Sequence, residues 1–305
     1  MRSLEARGAP PALAYNLLVS LRPAQWTKNL VVFAGVLFGR QLFEAGALAR
    51  ATAAFVVFCA LSGVVYLIND VLDREADRRH PLKARRPIAS GELPAGLAGL
   101  AAAVIGLAAL AVAFSLGTAF GWTSVLYVAL QGLYSGPLKH IVIIDVLTIA
   151  IGFVLRAAAG AIVIGVPISQ WLLVCTILLA LFLALAKRRH ELVLLADQAA
   201  EHRRILGEYS PYLLDQMISV VTASTFLSYA FYTINPETVE KFGTSNLGLT
   251  IPFPLYGIFR YLYLVHQRKG GGSPSEMLLT DGPLLACVAL WALTVVVIVY
   301  HPFGG

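Results

Sequence analysis

Long apolar runs separated by short polar or charged connections dominate this chain. About 20 apolar residues are what an α-helix needs to cross a hydrocarbon core of roughly 30 Å. Nine spans are predicted, near 15–39, 48–70, 94–115, 119–136, 142–165, 169–187, 212–233, 247–266 and 282–301, the first interrupted or partly interfacial. The pattern predicts an all-α polytopic membrane protein. No linker or composition break divides it, so residues 1–305 read as a single transmembrane domain.

Charge falls on alternate connections. Those after spans two, four, six and eight carry Arg74 to Arg86, Lys139 and His140, Lys187 to Arg204, and Arg268 with Lys269. The connections near Gly117 and Pro167 are uncharged. By the positive-inside rule the basic connections are cytoplasmic, which puts the N-terminus inside and, with nine spans, the C-terminus outside. Arg40 and Arg50 are the one departure.

Composition agrees with this reading: 58% of residues are hydrophobic, 13% are charged and the mean hydropathy is +0.75. The net charge of +6 is gathered in a few loops. That placement suits membrane orientation and phosphate binding rather than a nucleic-acid partner. Met1 to Pro23 has no uninterrupted apolar core of a cleavable signal peptide. Cys59, Cys175 and Cys287 lie inside apolar runs and read as small core residues.

Candidate chemistry begins where the second span ends, at Asn69-Asp70-Val71-Leu72-Asp73-Arg74-Glu75-Ala76-Asp77. On a helix Asp70, Asp73 and Asp77 share one face. Carboxylate oxygens suit Mg²⁺, which in turn suits a diphosphate. The plain alternative is a helix end whose aspartates pair with neighbouring arginines. Charge at membrane depth is costly and usually functional, which favours the chemical reading. Lys83 and Arg86 in the following loop are placed to grip phosphate oxygens. Arg22 and Lys28 flank Trp26 at the head of an apolar run. Tyr134 and Lys139 precede Asp145 and Arg156. The last two are eleven residues apart, about 16 Å along a helix, so each needs a partner other than the other. A polar cavity lined by the fifth span is the favoured setting, and a bridge to a charge on another helix is the alternative. The sixth span ends Lys187-Arg188-Arg189-His190-Glu191, where Arg188 and Glu191 can pair locally. No Cys/His metal spacing, Ser-His-Asp set, Walker or Rossmann fingerprint is present.

Taken together these motifs resemble the UbiA-type intramembrane prenyltransferase superfamily. Asn69-Asp70-x-x-Asp73-x-x-x-Asp77 resembles its first Asp-rich motif, and Tyr134-Ser135 with Lys139 its tyrosine-lysine motif. The resemblance implies nine helices around a central cavity open to the cytoplasm. Its aromatic prenyltransferases carry a second Asp-rich motif after span six, where this chain has Lys187-Arg188-Arg189-His190-Glu191-Leu192. That departure favours a substrate with an additional phosphate.

The chain is most similar to the decaprenyl-phosphate phosphoribosyltransferase branch. The similarity rests on Arg22-Pro23-x-Gln25-Trp26-x-Lys28-Asn29, His80-Pro81-x-Lys83-x-x-Arg86-Pro87, Lys139-His140 with Asp145, Arg156-Ala157-x-Ala159-Gly160, and Lys187-Arg188 with Glu191. It implies transfer of 5-phosphoribose from 5-phosphoribosyl 1-diphosphate to a polyprenyl phosphate in a bacterial cytoplasmic membrane. Asp70, Asp73 and Asp77, supported by Asn69, are the expected Mg²⁺ ligands, with Lys83 and Arg86 on the diphosphate. Lys139, Arg156, Lys187 and Arg188 are expected to divide the 5-phosphate and the lipid phosphate. Asp145 and Glu191 are expected on ribose hydroxyls or orienting these cations, and Lys28 near the lipid phosphate. An aromatic-acceptor prenyltransferase is the competing reading. A lipid transporter is a further one, disfavoured because no inverted repeat is visible.

Overall fold

The computed structural model describes residues 13–80, 83–195, 204–267 and 274–300. Pro81, Arg268, Lys269 and both chain ends, with the sidedness expected of them, lie outside the described residues. Among the described residues all regular structure is helical. The helices are α1 (Leu13–Ser20), α2 (Ala34–Phe38), α3 (Ala45–Leu72), α4 (Arg74–Arg79), α5 (Pro87–Ser90), α6 (Ala95–Leu116) and α7 (Thr118–Ser135). They continue as α8 (Ile144–Val163), α9 (Gln170–Leu195), α10 (Pro211–Ile234), α11 (Pro236–Phe242), α12 (Pro252–Gln267), α13 (Pro274–Thr280) and α14 (Gly282–Tyr300).

Six of these, α3, α6, α8, α9, α10 and α14, are long and apolar enough to cross a membrane. Leu100, Leu107, Leu126, Val220, Leu227 and Leu293 point outward from the bundle. Such a girdle is what hydrocarbon accepts and water does not. The other three predicted spans are shorter or broken. The segment near 15–39 divides into α1, a 3₁₀ stretch (Pro23–Phe33) and α2. Arg22 adopts left-handed backbone (φ 54°) directly before Pro23, which stops α1. α7 has 18 residues rich in Gly, Ser and Tyr, and α12 has 16.

Local chemistry explains the boundaries. The Ser210 hydroxyl accepts from the Leu213 amide and Pro211 takes the first helical position, a strong start for α10. Asn235 and Pro236 do the same for α11. Gly117, at φ 151°, is the single residue between α6 and α7.

Helices adjacent in sequence pack against one another from α6 through α10, and α3 joins α6, α7 and α8. The 3₁₀ stretch Pro23–Phe33 lies between α3 and α8, with Asn29 and Val32 fully buried. That close approach depends on glycine. A Cβ on Gly160 of α8 would overlap the Val32 carbonyl, and one on Gly35 would meet the Ala161 amide at 2.8 Å. Small residues let backbones touch where apolar burial provides no driving force within a lipid phase.

Gly160→Ala is expected to cost roughly 1–3 kcal/mol as an overpacked contact. Gly99→Ala, where an added Cβ meets nothing, serves as control. Thermal unfolding in detergent checks both, and a Gly160→Ala protein as stable as wild type would contradict the packing described.

Candidate active site

α3 delivers Asp70 in its last turn, and α4 delivers Asp77 two turns later on the same side. Arg86, at the start of α5, donates from one nitrogen to both, at 3.0 Å to Asp70 Oδ1 and 2.6 Å to Asp77 Oδ2. Arg22 donates to Asp70 Oδ1 at 2.6 Å, its guanidinium 4.5 Å above the Tyr66 ring. Lys83 Nζ lies 3.9 Å from Asp77 Oδ1. Both aspartate side chains are 4% exposed, while Arg22 and Arg86 are about a third exposed. Thus the carboxylates form the floor of the cluster and the cations its rim. The alternative of arginine pairing is realised, but at a buried position.

The expected three-carboxylate face is only partly assembled. Asp73 sits at the junction of α3 and α4 and is exposed, so Asp70 and Asp77 meet without it. Among the described residues no group of three His, Cys, Asp or Glu could hold a metal. Mg²⁺ does not need such a cage, because it is commonly held by one or two carboxylates with phosphates and water completing the octahedron. Asp70 and Asp77 fit that requirement once Arg86 gives way. Asn69 is half-buried beside them, and its side chain makes no hydrogen bond among the described residues.

A second cluster is fully paired. Arg188 donates through Nε to Asp145 at 2.9 Å, through one terminal nitrogen to Glu191 at 2.8 Å and through the other to the Tyr134 hydroxyl at 3.2 Å. Its side chain is 2% exposed and that of Asp145 is 0%. For Asp145, the bridge to another helix is therefore the arrangement found. Arg188, expected on a phosphate, is engaged here by two carboxylates and a hydroxyl, including the local pairing with Glu191. Lys187, one residue earlier, reaches Glu191 at 3.7 Å and stays half-exposed. Lys139 lies on the 3₁₀ turn Leu138–His140, half-exposed, with no ion pair among the described residues.

Arg156 is handled differently. It is 5% exposed, yet no carboxylate is within ion-pair distance among the described residues. Its Nε donates to Asn29 Oδ1 at 2.8 Å and one terminal nitrogen to the Tyr127 hydroxyl at 2.6 Å, with the Tyr127 ring 4.6 Å below the guanidinium. Lys28, half-buried beside Asn29 on the 3₁₀ stretch, makes no ion pair among the described residues.

Three contributors were not singled out from sequence. Asn29 was read only as part of a motif, and Tyr127 looks like one more aromatic in an apolar helix. Tyr209 follows the 3₁₀ turn Arg204–Glu208 and donates its hydroxyl to Asp145 Oδ1 at 2.8 Å. The same hydroxyl accepts from the Ile143 amide at 2.8 Å. Ile143 has φ 69°, and the Ile144 amide donates back to the Val142 carbonyl at 2.8 Å, a tight three-residue turn. A β-branched residue is strained there, by about 1–3 kcal/mol, and Tyr209 holds it. Burial and the bond to Asp145 push the Tyr209 phenol up to about 12, so it donates at neutral pH. No periodicity signals a contact across 64 residues.

Breaking a buried ion pair from one side is expensive. Asp145→Asn is expected to cost about 3 kcal/mol, and Tyr209→Phe about 1 kcal/mol, both read by thermal unfolding. Wild-type stability in Asp145→Asn would contradict the pairing.

A model of the UbiA prenyltransferase family matches residues 29–280. A decaprenyl-phosphate phosphoribosyltransferase from Corynebacterium glutamicum is 35% identical over 300 residues, covering 96% of this chain and 90% of that protein. Its namesake in Mycolicibacterium smegmatis is 33% identical over 306 residues, covering 96% and 95%. The solved structure of a UbiA homolog from Archaeoglobus fulgidus bound to GPP and Mg²⁺ superposes with a TM-score of 0.71 at 20% identity. That alignment covers 92% of this chain and 99% of the other and speaks for the fold. With its helical architecture and its motifs in order, this chain belongs to the UbiA prenyltransferase family.

Proposed function

We propose that this protein transfers 5-phosphoribose from 5-phosphoribosyl 1-diphosphate to a polyprenyl phosphate such as decaprenyl phosphate, releasing diphosphate. The observation that carries this reading is the presence of two cation-bearing clusters of different character. Asp70, Asp77 and Arg86 form one, suited to a metal-bound diphosphate. Lys28 and Arg156, on the packed 3₁₀ stretch and α8, supply a second, in which neither pairs with a carboxylate among the described residues. An isoprenyl diphosphate has one anionic end and leaves the second region unused. A phosphoribosyl donor and a phosphate acceptor use both. The names of the relatives at 33–35% identity agree with it.

In this reading an oxygen of the lipid phosphate forms the new bond to ribose C1 while the bond from C1 to the diphosphate breaks, its electron pair leaving with the diphosphate. The acceptor is already anionic, so no side chain need act as a strong base. The residues therefore work by positioning and by stabilising charge on the departing group. Asp70 and Asp77, with Asp73 and Asn69 nearby, would hold Mg²⁺, which supplies charge neutralisation at the diphosphate. Lys83 and Arg86 would close on its oxygens, Arg86 leaving the carboxylates it bridges. Arg188, engaged with Asp145, Glu191 and Tyr134, would keep Glu191 and Tyr134 facing the ribose, and Lys139 would approach from the loop side.

The same reading places the reaction on the cytoplasmic face of a bacterial inner membrane. The single domain spans residues 1–305 with nine crossings, N-terminus inside and C-terminus outside. The three segments beyond the six long helices complete that count. The polyprenyl tail would lie among apolar helices.

The test uses purified protein, Mg²⁺, 5-phosphoribosyl 1-diphosphate and a panel of polyprenyl phosphates, with products read by mass spectrometry. Phosphoribosylated lipid is expected, lost on chelation of Mg²⁺ and reduced at least a hundredfold in folded Asp70→Asn. Transfer from an isoprenyl diphosphate to an aromatic acceptor instead would overturn the reading, as would wild-type turnover in Asp70→Asn.

A further inference from the structure

The connection between α7 and α8 is held from outside itself. It runs through the 3₁₀ turn Leu138–His140, which carries Lys139, and enters α8 by the tight turn at Ile143. Ile143 has φ 69° and ψ −43°, a backbone conformation that β-branched residues rarely adopt. Its side chain is 45% exposed, so burial of that side chain does not account for the conformation. What meets the turn is Tyr209, 66 residues later, whose hydroxyl accepts from the Ile143 amide at 2.8 Å.

The same hydroxyl donates to Asp145 Oδ1 at 2.8 Å, and Arg188 donates to the other oxygen of that carboxylate at 2.9 Å. From Arg188 the bonds continue to Glu191 and to the Tyr134 hydroxyl. Tyr134 lies in the last turn of α7, at the far end of the same connection. One network therefore grips the connection at both ends, through Arg188 and Tyr134 at its start and through Tyr209 at its finish. Lys139 stands between the two grips. The segment that supplies Tyr209 is itself anchored. Ile205 and Leu206 are buried, and the turn Arg204–Glu208 packs against the turn Leu138–His140. Ile205 and Tyr209 share an apolar cluster with Val142 and Val146, which flank Ile143.

We infer that Tyr209 is a positioning residue that, through the turn at Ile143, sets the place of the Lys139 connection relative to the Arg188 frame. It acts through the backbone of the turn and through Asp145 rather than on the substrate. A phenol suits this task because one oxygen accepts and donates at once. The inference rests on the proposed reaction only for its effect on turnover; the hold on the turn is independent of it.

Tyr209→Phe, Ile143→Gly and the double variant provide the test. Phenylalanine keeps the ring in its cluster and loses both bonds. Glycine adopts positive φ without strain, so Ile143→Gly lets the turn keep its form without Tyr209 and leaves Asp145 as it is. In Tyr209→Phe, kcat/KM for phosphoribosyl transfer is expected to fall about tenfold or more, the scale of a misplaced substrate-facing group. Ile143→Gly should transfer at close to the wild-type rate, and the double variant should recover most of the loss. If Tyr209 served Asp145 alone, relieving the turn would restore nothing. Amide hydrogen exchange over residues 138–144, measured without substrate, should be faster in Tyr209→Phe than in wild type. Unchanged exchange there would overturn the inference, as would wild-type turnover in Tyr209→Phe or a loss that the double variant does not recover. If wild type transfers nothing while exchange over 138–144 quickens in Tyr209→Phe, the proposed reaction fails and the hold on the turn stands.

Discussion

A charge inside an apolar bundle has to be neutralised from within, and that constraint organises this molecule. Water cannot reach most of Asp70, Asp77, Asp145, Arg156 and Arg188. Asp77 is answered from the loop that follows it, by Arg86 and Lys83, and each of the others selects a partner from a distant part of the chain. Asp70 draws in Arg22 and Arg86, which ties the N-terminal segment and the loop after α4 to the end of α3. Asp145 draws in Arg188 and Tyr209, which ties α8 to α9 and to the turn before α10. The helices supply apolar surface to their surroundings, while the charges specify which helix ends converge.

Two of the three clusters are balanced within the protein and one is not. The Arg188 cluster carries carboxylates for its cation and behaves as a fixed frame. The Asp70/Asp77 cluster is balanced by cations that sit at its rim and are more exposed than the carboxylates beneath, so it is a frame that an incoming metal and anion can rearrange. Arg156 and Lys28 are cations without an answering carboxylate among the described residues. Under the proposed reaction, the anionic substrates would complete this charge. The strained turn at Ile143, held by Tyr209, stands at the start of α8 and shows where local stability is given up to place Asp145.

Much of this was legible in the sequence because membrane helices are written in a plain code of length and hydropathy. The long helices fall where the apolar runs predict, and Asp70 and Asp77 lie together because i, i+7 returns to the same face. The need of Asp145 and Arg156 for separate partners also followed from helical rise alone. The partners themselves did not. Arg188 for Asp145 and Asn29 for Arg156 are meetings of distant segments, which no local pattern encodes. The exclusion of Asp73 was hidden for another reason. A small change of backbone at the α3–α4 junction moves one carboxylate off a face that ideal geometry assigns to three. Sequence also cannot separate a cation destined for a carboxylate from one left for a ligand, since both are an arginine beside an apolar run.

The central claim is that Asp70 and Asp77 exchange Arg86 for a metal-bound diphosphate, while the carboxylate-free cations take a second phosphate. The most direct test is a structure of the protein with 5-phosphoribosyl 1-diphosphate and Mn²⁺ in place of Mg²⁺, the metal located by its anomalous signal. Metal is expected against Asp70 and Asp77, with Arg86 moved onto diphosphate oxygens. Metal bound elsewhere, or a donor bound while Arg86 still bridges the two carboxylates, would contradict it.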